Sequence, residues 1–328
     1  MQNLLNKNAN VKIKKALKIV FFGTPEFARF CLQELFCNEF IIKAVVTAPD
    51  RKAGRGKKFK KSAVKNYAEI NGFPIYQPEN LKSVEFVKNL KKISADAFVV
   101  VAFRMLPKLV WSIPNLGTIN LHASLLPNYR GAAPINWVLI NGEESTGVTT
   151  FLINEQIDTG LILMQKEIFI SKTDNTETLS NKLLKIGAPL IIKTLLGLKK
   201  KITVPVSQKP SGNEKLAFKL TKENTMINWN KSLEQIKNFV RGLSPYPGAW
   251  TNLIVNGSSQ RIKIFEAEPV FETHPHPTNL IVIKGNKINI SHSEGFLNCK
   301  EIQIPNKRRM DAKTFLNGYK FSKDSSVL

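Results

Sequence analysis

The stretch Gly117–Pro134 reads G-T-I-N-L-H-A-S-L-L-P-N-Y-R-G-A-A-P. Thr118 to Leu121 is an apolar, β-prone run. On a strand, side chains two apart share a face, so Asn120 and His122 point the same way and Leu121 points into the core. An amide donor beside an imidazole suits attack on a carbonyl: one group holds the growing oxyanion, the other moves a proton. Taken alone, an Asn-x-His pair on a strand is more often structural than catalytic. Pro127 punctuates the segment that follows, and Arg130 offers a forked cation.

Upstream, Lys18–Phe22 is an apolar run ending at Gly23, and Thr24-Pro25-Glu26 opens a helix with Thr as N-cap. Phe27, Phe30, Cys31, Leu32, Leu35 and Phe36 recur at helical spacing, and Ile41–Val46 is the next strand. Strand, helix, strand predicts a parallel α/β sheet. Ala97–Ala102 (A-F-V-V-V-A) is a further strand of the doubly buried kind. A single Gly23 is not G-x-G-x-x-G, so no dinucleotide cofactor is assigned.

Downstream, Ala132–Leu139 reads as a helix with Pro134 in its first turn, and Thr146–Ile153 alternates like a strand. Glu155–Gly160 is a turn in which Asp158, by itself, reads as an Asx-type turn residue. A strand over 161–170 and a helix over 176–198, interrupted near Gly187 and Pro189, complete this half. Residues 204–225, rich in Pro, Ser, Gly and Lys, read as a linker. Beyond it come a helix, Ser232–Leu243, the stiff turn S-P-Y-P-G-A-W and six short alternating stretches: 251–255, 261–265, 279–283, 287–290, 295–297 and 300–304. That pattern predicts a small β-barrel. The expected division is a basic extension 1–17, a first domain 18–203, the linker, and a second domain 226–328.

The chain has 328 residues, 43% hydrophobic and 22% charged, which fits a packed globular protein. No apolar run reaches the roughly 18 to 20 residues of a membrane span. The first residues carry lysines but no cleavage pattern, so a cytoplasmic location is expected; the chain is also expected to be a monomer. Cys31, Cys37 and Cys299 form no C-x-x-C, and no metal is expected; His274 and His276 read as part of a solvated, proline-stiffened loop. The net charge of +23 would attract a polyanion, although 39 Lys against 9 Arg also fits a general compositional bias. Seven of the residues in Thr47–Lys61 (T-A-P-D-R-K-A-G-R-G-K-K-F-K-K) are basic, which predicts a loop that reaches phosphates.

The string S-L-L-P-N-Y-R-G-A-A-P, the D-R-K-A-G-R-G-K-K loop, Ile157-Asp158-Thr159-Gly160 and R-G-L-S-P-Y-P-G-A-W together resemble the 10-formyltetrahydrofolate-dependent formyltransferase family, its tRNA-acting branch above all. The resemblance runs from Lys18 almost to the C-terminus. It implies a Rossmann-like parallel-sheet formyltransferase domain followed by an OB-like β-barrel. It implies formyl transfer from 10-formyltetrahydrofolate to the α-amino group of methionine on initiator methionyl-tRNA. It further implies Asn120, His122 and Asp158 as catalytic residues, Ser124, Leu125, Leu126 and Pro127 at the folate, and Arg51, Arg55, Lys57 and Lys58 on the tRNA. Phe103-Arg104 departs from the Tyr-Gly common in the family, and Arg104 receives no role. A folate-dependent transferase for a small amine, such as an amino-sugar nucleotide, and an inactive RNA-binding relative are the alternatives.

Overall fold

The computed structural model describes residues 16–53 and 58–328. In chain order the first elements are β1 (Lys18–Gly23), α1 (Glu26–Cys37), β2 (Ile41–Val46), β3 (Arg51–Ala53), β4 (Lys58–Lys60), α2 (Ala63–Ile70), β5 (Ile75–Tyr76), α3 (Val84–Ile93), β6 (Ala97–Val101), α4 (Lys108–Trp111) and β7 (Thr118–His122). Then come β8 (Arg130–Gly131), α5 (Pro134–Ile140), β9 (Ser145–Leu152), β10 (Ile162–Phe169), α6 (Thr176–Lys199) and β11 (Leu216–Ala217). The C-terminal part holds α7 (Leu233–Leu243), β12 (Ala249–Val255), β13 (Ser258–Phe271), β14 (Ile281–Lys284), β15 (Lys287–His292), β16 (Gly295–Gln303), β17 (Met310–Asp311), α8 (Ala312–Gly318) and β18 (Ser326–Val327).

The described residues form two compact units, the first made of those within 1–121 together with 191–204, the second of 122–190 with 205–328. In the first, five parallel strands stand in the order β7-β6-β1-β2-β5. Every residue of β6, and all but the first of β1, is buried, which is why these strands are unbroken apolar runs. The strand order reverses beside β1, the place where open α/β sheets bind ligands at their carboxyl ends. Helix α1 starts one residue later than expected: Pro25, not Thr24, is its N-cap, and no side chain caps it. Arg104, for which the sequence offers no role, donates to the carbonyls of Pro78 (2.7 Å) and Glu79 (3.0 Å).

The expected break in α6 does not occur; the helix runs through Pro189. Proline removes one main-chain hydrogen bond and costs about 3 kcal/mol in a helix. Leu179, Leu183, Ile191 and Leu195, all essentially inaccessible, lie on one face of the helix on either side of that point and bury it there.

In the second unit β9 and β10 pair antiparallel, and a six-strand antiparallel path runs β14-β15-β16-β13-β12-β18. The predicted strands 295–297 and 300–304 are one, β16, because Asn298 and Cys299 continue the pairing with β13 and β15, and Glu301 resumes it with β13 beyond an unpaired Lys300. Register shifts in β13 around Glu266 bend that long strand. The sheet curls until its ends meet: Ile281 N–H donates to Ser325 O at 2.8 Å and Val327 N–H to Asn279 O at 2.9 Å. Inside lie Leu253, Ile264, Ile288, Leu297 and Ile302, with Ile236, Val240 and Leu243 of α7 on the same core. His274 is not solvated as expected. Its Nε2 reaches the carbonyls of His292 (2.9 Å) and Gly295 (2.8 Å), and its ring packs on Phe296.

Residues 204–225 do not hang free between domains. Val206 exchanges main-chain hydrogen bonds with Ile162, and β11 lies parallel to β8. Helix α5 also packs on α7, where Asn136 Nδ2 donates to Gly242 O at 2.8 Å. The signature turn and the barrel thereby belong to one packed unit.

Candidate active site

His122 ends β7 and is the first residue of the second unit. Its Nε2 lies 2.7 Å from the main-chain oxygen of Tyr129. A carbonyl only accepts, so Nε2 carries a proton, and in the neutral ring it is Nδ1 that holds the lone pair. Nδ1 faces Asp158 Oδ2 at 3.6 Å, and both side chains are nearly buried. The same oxygen accepts the Gly131 N–H at 2.9 Å. The turn residue Asp158 therefore does not spend its carboxylate on its own turn. It spends it on the signature and faces the basic nitrogen of His122.

This arrangement needs two residues in the left-handed region, Tyr129 (φ 60°) and Asp158 (φ 54°). A non-glycine there costs of order 1 kcal/mol and persists where its surroundings hold it. Tyr129 is buried; its hydroxyl donates to Glu143 and accepts from Asn141 (3.1 Å). Burial and the Glu143 carboxylate push the phenol's pKa well above its ordinary value, so it stays a donor. Gly131, at φ 123°, has to be glycine: a Cβ there would lie 2.4 Å from Ala217 O.

The Ser124–Pro127 segment is held from β9 and β10. Thr149 Oγ1 donates to Ser124 O (2.7 Å) and accepts from Leu126 N–H (3.1 Å), while Gln165 Nε2 donates to Leu126 O (2.9 Å). Ser124 is buried with its hydroxyl given to Asn128 O at 2.7 Å. Leu126 is buried as well, and Leu125 and Pro127 are half-buried. Of this segment only Leu125 and Pro127 keep part of their surface accessible.

Asn120, half-buried, stands two residues before His122 on β7 in the first unit. Strand alternation gives the two side chains the same side of that strand. Arg51 is exposed on β3, which pairs antiparallel with β4. Arg55 and Lys57 lie outside the described residues, and Lys58 opens β4. The root of this basic segment is tied down: Asp50 accepts from Lys65 (2.6 Å) and Gln77 (2.9 Å), and Lys61 pairs with Glu69 (2.7 Å). Sequence reasoning missed the Tyr129 carbonyl, the Gly131 amide and the Thr149–Gln165 pair. Only the tyrosine and the glycine carried a signal, their place inside the signature.

The formyl transferase family matches residues 17–195, and the formyl transferase C-terminal domain matches residues 219–320. The methionyl-tRNA formyltransferase of Flavobacterium johnsoniae is 46% identical over 311 residues, 95% of this chain and 99% of that one. That of Bacteroides thetaiotaomicron is 42% identical over 314 residues, 94% and 98% of the two chains. Among solved structures, HypX from Aquifex aeolicus in complex with tetrahydrofolic acid aligns with a TM-score of 0.63 at 17% identity, a likeness of fold. That alignment covers 93% of this chain and 48% of HypX, so the chain spans about half the length of that protein. Alike to its relatives along nearly its whole length and matched by both domains in order, this chain belongs to the formyl transferase family.

Proposed function

We propose that this protein transfers the formyl group of 10-formyltetrahydrofolate to the α-amino group of methionine on initiator methionyl-tRNA, acting as a cytoplasmic monomer. The observation that carries the reading is the buried His122–Asp158 pair, inside a chain 46% identical over 95% of its length to a methionyl-tRNA formyltransferase. The reading assigns residues 18–203 to a catalytic domain and 226–328 to a C-terminal domain joined by 204–225.

The donor supplies a formyl carbon for the amine to attack; the new C–N bond forms first, giving a tetrahedral oxyanion, and the C=O is restored as the bond to the folate nitrogen breaks. Asn120 donates to the oxygen that gains charge in the transition state. His122 takes the proton that the attacking amine must lose, on Nδ1, and returns it to the departing nitrogen. While the ring is charged, the Tyr129 carbonyl accepts from one N–H and Asp158 stabilises the other. The proton is conserved, and no covalent enzyme intermediate is needed. Ser124, Leu125, Leu126 and Pro127 form part of the folate site, with Leu125 and Pro127 offering the surface that meets the ligand. Arg51, Arg55, Lys57 and Lys58 hold tRNA phosphates.

The test is a formyl-transfer assay with charged initiator methionyl-tRNA and 10-formyltetrahydrofolate, run beside elongator methionyl-tRNA. Transfer to the initiator alone supports the reading. Transfer to small amines but to neither tRNA overturns the acceptor assignment, and no transfer to any amine overturns the reaction.

A further inference from the structure

Gln208 lies between the two matched family domains, in the stretch that composition reads as a linker. Both ends of its side-chain amide are engaged. Nε2 donates to Asp158 O (2.8 Å) and Gly160 O (2.9 Å). Oε1 accepts from Arg130 Nε (3.0 Å) and from Nη2 of the same guanidinium. One side chain thus joins the signature residue Arg130 to the turn that carries Asp158. The flanking chain is anchored on both sides, by Val206 on Ile162 and by Leu216–Ala217 on Arg130–Gly131. Gln208 therefore comes from a held strip of backbone.

We infer that Gln208 is a positioning residue: it fixes the Asp158 turn so that the carboxylate meets both the Gly131 amide and His122. The inference rests on the formyl-transfer reading of the same site. Three observations converge on it. Asp158 sits at a positive φ, a conformation that needs outside support. The amide uses both of its N–H donors on the carbonyls of Asp158 and Gly160, closing the turn from outside. Its oxygen takes a charge-assisted pair from Arg130, the residue preceding the Gly131 amide that Asp158 accepts. The turn and the signature are therefore locked together, and Asp158 is the group caught between them.

The substitutions that test this are Gln208→Ala and Gln208→Glu. The glutamate keeps the acceptor for Arg130 and the volume but loses both donors to the Asp158 turn. Both variants are expected to lower kcat about tenfold or more with KM for donor and tRNA changed less than about threefold, the pattern of a lost transition-state interaction. In an Asp158→Ala background, Gln208→Ala is expected to change kcat less than about threefold, because residues acting through one another are non-additive. A readout independent of turnover is amide exchange at Gly131, expected about tenfold faster in both variants as its acceptor wanders. Wild-type rates in Gln208→Glu, full additivity with Asp158→Ala, or an unchanged Gly131 amide each overturn the inference. Should the wild-type protein formylate no methionyl-tRNA, it is the functional reading that fails. The Gly131 exchange rates still decide whether Gln208 positions Asp158.

Discussion

The Nε2 of His122 and the carbonyl oxygen of Tyr129 lie 2.7 Å apart, which commits the imidazole to one tautomer. The basic nitrogen is then Nδ1, on the Asp158 side. Replacing His122 or Asn120 by Ala is expected to lower kcat about 10² to 10⁴-fold, the scale of single acid–base groups and oxyanion donors. Single-turnover rates on the purified variants measure this. A loss under roughly threefold in both would remove these residues from the mechanism.

The basic segment after β2 is expected to act on binding and not on chemistry. Changing Arg51 and Lys58 together to Ala should raise KM for tRNA and leave kcat at saturating tRNA within about threefold. Cations that neutralise phosphates release counterions, so the slope of log affinity against log salt should also become shallower, by about one for each phosphate left without its cation. An unchanged slope would show that neither residue meets a phosphate.

Asp174 predicts a pH dependence of stability. Burial opposes its ionisation, but the Lys182 ammonium at 2.6 Å, the Ser171 amide at 2.7 Å and the Thr178 hydroxyl at 3.0 Å outweigh that and hold its pKa below the ordinary 3.8. A carboxyl whose pKa is lower folded than unfolded contributes stability above the unfolded value and loses it as pH falls through the folded one. Asp174→Asn should therefore cost about 1–3 kcal/mol at neutral pH. The gap to wild type should begin to narrow at about pH 4 and go on closing as pH falls through the lower folded pKa. Denaturant melts followed from about pH 7 down to about pH 2 decide it; a gap of equal size throughout would assign the loss to packing.

Gly242 lets α7 approach α5. A Cβ there would lie 2.7 Å from Ile140 Cγ1, 2.9 Å from Ile140 N and 3.0 Å from Asn136 O, so main chain would have to move. Gly242→Ala should cost about 1–3 kcal/mol, as overpacking does, although alanine is the better helix former. A gain in thermal stability would show that the helices have room to separate.

What the sequence determined by itself lies within single elements. The apolar runs of β1 and β6 read as buried strands and are so, and the spacing of Asn120 and His122 put both on one side of β7. The four separate strings supplied the family resemblance. Tertiary structure alone decided everything that joins distant residues. Read from its turn alone, Asp158 was an ordinary turn residue; the resemblance gave it a role, and only folding brought its carboxylate to Gly131 and His122. Gln208 sat in a stretch whose composition promised a linker, and Pro189 looked like the end of a helix that continues past it. The physical reason is the same in each case. Periodicity and turn chemistry act over a few residues and leave their mark in composition. A hydrogen bond between residues far apart in the chain leaves none, and exists only where packing delivers both partners.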